Sequence, residues 1–112
     1  MATQVYASSM SSTQAGGAVQ DVATPAGHSA VWYHTLQVQI TSTATGLPAV
    51  AAAGTLSVQA AAVGSTEFQE LGVIDLAAPD PVVLEGFYTN FRAVSTGFDA
   101  DKTWTLCIVS GG

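Results

Sequence analysis

The chain has 112 residues, 48% hydrophobic and only 9% charged, with eight acidic against two basic side chains and a net charge of −6. Two bases cannot supply the phosphate contacts of a nucleic-acid binder or grip an anionic membrane surface, and no apolar run approaches the ~20 residues of a membrane-spanning helix. The length suits one domain with a single core, and the apolar content predicts that its body folds.

Residues 1–17 are rich in Ser, Ala, Gly and Gln with no sustained period. They predict an N-terminal arm, flexible alone and ordered against a partner, ahead of one domain over 18–112. Met1 to Gln20 shows neither a basic n-region nor an apolar h-region, so no signal peptide is expected. Val19, Asp21 and Ala23 begin a first short strand, which Pro25 and Gly27 stop.

From His28 to Thr41 the period is two. Trp32, His34, Leu36, Val38 and Ile40 share one face, and Tyr33, Thr35, Gln37 and Gln39 share the other. That pattern is a strand with one buried side. Thr43 to Pro48 reads as a loop. A second alternating run, Leu56, Val58 and Ala60, predicts a strand over Thr55 to Ala62. Glu67 to Asp75 predicts another, with Phe68, Leu71 and Val73 as core candidates. Its parity slips near Glu70 to Gly72, the mark of a bulge. Pro79 and Pro81 make a rigid turn. Val82 to Ser95 is apolar on both parities, so it is either one strand covered on both faces or two strands joined near Glu85 and Gly86. Gly97 to Lys102 reads as a hairpin loop, and Thr103 to Val109 as the closing strand. The fold expected is all-β, a single antiparallel sandwich or jelly roll.

Chemistry-bearing groups are few. His28 and His34 are separated by roughly 20 Å of extended chain and cannot share a metal; His34 fits a hydrogen-bonded residue at the core edge. Cys107 excludes an intramolecular disulfide and reads as a buried, inert thiol. Asp99 and Asp101 put two carboxylates in one loop, the simplest beginning of a calcium site, but calcium takes six to eight oxygens. A solvated turn accounts for them better. Glu67 and Glu70 fall on opposite faces of a strand, which defeats an acid–base pair. No catalytic residue, cofactor or metal is therefore expected. Trp32 and Trp104 share parity with aliphatic neighbours and are assigned to the core, which leaves Tyr33 as the exposed candidate for a ligand platform. Arg92 lies between Phe91 and Ala93 in the most apolar stretch and needs a partner. Glu70 and Glu85 are the carboxylates expected to form a structural clamp or subunit contact with it.

The segments GTLSVQA, STEFQELGVIDL, GFYTNFRAVSTGF and TWTLCIVSG, over roughly residues 54 to 110, resemble small β-sandwich proteins encoded in tailed-phage structural gene clusters. The resemblance implies a non-enzymatic virion component, foremost a head decoration (cement) protein bound to the major capsid protein. It further implies a homotrimer with an N-terminal arm over neighbouring capsomers, located in the virion after synthesis in the host cytoplasm. A tail or fibre accessory protein and a monomeric carbohydrate-binding module are the alternatives.

Overall fold

The computed structural model describes residues 5–11, 20–23, 32–62 and 64–111. It contains eight strands: β1 (Val5–Ser11), β2 (Gln20–Ala23), β3 (Tyr33–Ser42), β4 (Thr55–Ala62), β5 (Gln69–Asp75), β6 (Val82–Glu85), β7 (Tyr88–Thr96) and β8 (Lys102–Gly111). They form two sheets of four, ordered β1-β8-β3-β6 and β2-β7-β4-β5. Each neighbouring pair is antiparallel. First strand pairs with last, second with seventh, third with sixth and fourth with fifth. A long hairpin wound on itself in this way is a jelly roll.

The period-two pattern does the sorting. Leu36 and Ile40 of β3, and Trp104, Leu106 and Ile108 of β8, turn inward from the first sheet. Leu56 and Val58 of β4, Phe91 and Ala93 of β7, and Ile74 of β5 face them from the second. Burying these side chains is what drives the two sheets together.

Several expectations meet the structure closely. The strand Thr55–Ala62 has the expected bounds. Val58 pairs with Gly72 and Gln59 with Glu70, so Leu71 is the extra residue of the bulge. Val82 to Ser95 resolves into two strands, β6 and β7, which lie in opposite sheets; each therefore needs only one apolar face. One strand has no counterpart among the expected elements: Val5–Ser11 forms β1 and pairs with β8.

Other assignments are corrected. Trp32 is 42% exposed: β3 begins only at Tyr33, and parity holds no further than the strand. Val73 is exposed, because Ile74 and Leu76 take the inward positions after the bulge. Cys107 is half-buried on the outer side of β8, not in the core. His28 lies outside the described residues.

Candidate functional site

Odd-numbered residues of β3 and β8 face outward, and so do Val83 and Glu85 of β6. Thr35 stands opposite Val83 on one side and Val109 on the other. Gln37 stands opposite Cys107 and Gln39 opposite Thr105. Tyr33 lies between Glu85 and Gly111. This face carries one charge, Glu85, at one end. Val83 and Val109 are 63% and 46% exposed, so two apolar side chains stand in water on either side of Thr35 in a row across three strands.

Aromatic rings continue the patch around the end of the sheet. Tyr33 is exposed, as its parity predicts, and Phe87 is half-exposed. The rings of Trp32 and Phe87 meet edge to face, with centroids 5.0 Å apart. The β6–β7 connection that presents Phe87 is pinned from beneath. The Gly86 N–H donates to the Trp32 carbonyl at 2.8 Å, and the Tyr88 hydroxyl donates to the Glu85 carbonyl at 2.8 Å. His34, wholly buried, reaches the Gly86 carbonyl through Nε2 at 2.7 Å. Exposed Trp, Tyr and Phe grouped with valines are the side chains that anchor protein interfaces and stack on sugar rings. Sequence parity alone identified only Tyr33.

Both basic side chains are engaged elsewhere. The Arg92 guanidinium sits 4.7 Å from the centroid of Phe68, a cation–π contact. Of its expected carboxylate partners, Glu70 lies in the same row of the second sheet, with Gln59 between the two strands. Glu70 accepts a 2.6 Å hydrogen bond from the Ser57 hydroxyl. Glu85 lies in the other sheet. The Lys102 ammonium lies 3.2 Å from Asp99 and 3.0 Å from Asp101.

Asp99 also accepts the backbone N–H groups of Ala52 and Ala53, at 2.9 and 3.1 Å. Its carboxylate ties the 51–54 loop to the β7–β8 connection. The Ala52 N–H is the main cause of a carboxyl held below its usual range, and Lys102 adds to it. The Lys102 ammonium is pushed up, chiefly by Asp101 and then by Asp99. These aspartates have a structural occupation. Among the described residues no group of three His, Cys, Asp or Glu side chains could hold a metal ion.

An open apolar recess of ≈ 250 Å³ lies at the other end of β3, lined by Val38, Ile40, Val50, Leu76 and Pro79 among others.

No protein-family model matches the chain, and no curated protein matches it. Solved structures do share its fold. The SPBc2 prophage-derived protein YomS is 13% identical, with 96% of each chain covered and a TM-score of 0.55. The disulfide-linked pili of Bacillus endospore appendages give 11% identity over 97% of this chain and 86% of the other, with a TM-score of 0.50. The decameric BFDV capsid protein gives 9% identity over 98% and 96%, also with a TM-score of 0.50. At such identities the likeness is one of fold.

Proposed function

We propose that this chain is a non-enzymatic structural protein of a phage particle, a decoration protein that docks on the head lattice through the outer face of β6, β3 and β8. The observation that carries the reading is that face: exposed Tyr33, Val83 and Val109 among Thr and Gln, with Glu85 its one charge. Isolated soluble domains seldom leave so neutral a surface to water, whereas covered surfaces have this composition. The resemblance of residues 54–110 to tailed-phage proteins points the same way. So does a fold shared with a prophage-derived protein and a capsid protein.

Attachment through such a face draws on apolar burial at about 25 cal/mol per Å² and little on ion pairs. It should therefore depend weakly on salt. The test is to purify particles of the phage encoding the chain, strip the protein, and add it back as wild type or as Val109→Glu. Wild type should rebind in both low and high salt, and Val109→Glu should not. Absence of the chain from purified particles, or its release by moderate salt, overturns the reading.

A second reading, a carbohydrate-binding module, rests on the exposed Trp32, Tyr33 and Phe87 rings. Under it, Trp32→Ala abolishes binding to neutral glycans and leaves particle attachment unchanged.

A further inference from the structure

The two sheets have four edges, and three of them are guarded. β5 carries Glu70, Asp75 and the Leu71 bulge. β6 is four residues long, with Pro81 before it and Glu85 at its end. β2 is equally short and contains Asp21. Short strands, bulges, prolines and charges are the means by which natural sheets prevent edge pairing. β1 has none of them: its seven residues, Val5–Ser11, include no charge, proline or glycine. Among the described residues no strand pairs with it on the side away from β8.

The alternation of ladder hydrogen bonds fixes which backbone groups are left over. The Ala49 N–H donates to the Ile40 carbonyl and the Gly86 N–H to the Trp32 carbonyl. Even-numbered residues along β3 therefore direct their backbone groups away from β8, and odd-numbered ones bond to it. On β8 the odd residues are thus committed to β3, and the even ones, Leu106, Ile108 and Ser110, bond to Met10, Ser8 and Tyr6. The N–H and C=O groups of Val5, Ala7, Ser9 and Ser11 point off the edge of the sheet.

We propose that β1 is a self-pairing edge, through which two copies of the chain join antiparallel about a two-fold axis at Ser8. Val5 then lies opposite the partner's Ser11, and Ala7 opposite the partner's Ser9. All four outward-facing residues find partners in this register. The occupant follows from the other edges: a head-to-tail contact would have to use a guarded strand, whereas like with like uses the open one twice. No charged residue meets its own copy across the axis, which is needed in a chain of net charge −6. The product is one continuous eight-stranded sheet. This inference does not rest on the virion reading, and a two-fold pair differs from the homotrimer implied by the phage resemblance.

Light scattering on the full chain over a concentration series tests it, with folding of each variant checked by circular dichroism. The wild type should reach twice the 11.3 kDa chain mass. Ser9→Pro removes an outward N–H and no bond to β8, so the mass should halve. The double variant A7K/S9K sets like charges opposite each other and should also be monomeric. A7K/S9E sets opposite charges across the axis and should remain dimeric. A wild-type monomer or trimer overturns the proposal, as does a dimer that survives both Ser9→Pro and A7K/S9K. Should Ser9→Pro not fold, the two charged variants still decide: equal behaviour of A7K/S9K and A7K/S9E overturns the pairing.

Discussion

His34 Nε2 lies 2.7 Å from the carbonyl oxygen of Gly86, a bond between the first inward-facing residue of β3 and a turn in the β6–β7 connection. A carbonyl can only accept, so Nε2 carries the proton. Nδ1 lies 2.6 Å from Ser110 Oγ and shares a hydrogen bond with that hydroxyl. One imidazole thus joins β3, β8 and the turn that holds Phe87 beside Trp32. The exposed aromatic corner depends on a polar bond made in the core.

Ser110→Ala removes the hydroxyl partner and leaves Nδ1 buried without it. The cost expected is about 1–3 kcal/mol, the desolvation penalty of an unpaired buried group. Urea unfolding followed by tryptophan fluorescence measures it. An unchanged midpoint would show that the imidazole has another partner.

Gly86 has φ of +139°, and a Cβ built there would meet the Tyr88 hydroxyl oxygen at 2.8 Å. Gly46 has φ of +72° with nothing within 4 Å. Gly46→Ala should cost the left-handed backbone alone, about 1–2 kcal/mol. Gly86→Ala should cost more and should also displace Phe87. Equal losses in the two variants would mean that the Tyr88 contact relaxes freely.

Asp99 and Lys102 set a pH window. The Asp99 carboxyl is depressed below its usual 3.8, so its contribution is present above that pH and is lost as pH falls through the lower folded value. The Lys102 ammonium is raised above 10.5, so its contribution is present below that pH and is lost as pH rises through the folded value. Stability from this cluster is therefore constant across neutral pH. Asp99→Asn should lower the thermal midpoint at pH 7, and the gap to wild type should close as pH falls below the normal carboxylate range. A gap independent of pH would assign the loss to geometry, not charge.

The inward faces of β3 and β8 were legible because aliphatic and aromatic residues alternate there without interruption, from His34 to Ile40 and from Trp104 to Ile108. The Leu71 bulge was legible because it shifts that alternation by one. β1 was not. Its run of Val, Tyr, Ala, Ser and Met has no contrast between faces, and the strand that makes it a strand, β8, lies at the other end of the chain. Trp32 misled because alternation predicts burial only inside a strand, and the chain enters β3 one residue later. The valines at 83 and 109 share an outer row with Thr35, and it is the register that brings them together there.

Arg92 also packs against an aromatic ring. The guanidinium lies over the Phe68 ring, 4.7 Å from its centroid. An aromatic face attracts a cation through its quadrupole, and a half-buried contact of this kind is worth about 0.5–1 kcal/mol. The packing of both side chains must be separated from that attraction, so the measurement is a double-mutant cycle. Arg92→Met keeps most of the aliphatic stem, and Phe68→Leu keeps an apolar cover. The double variant should be less destabilised than the sum of the singles by about 0.5–1 kcal/mol. Strict additivity would mean that Phe68 merely lies near the guanidinium and that Arg92 is held by its other contacts.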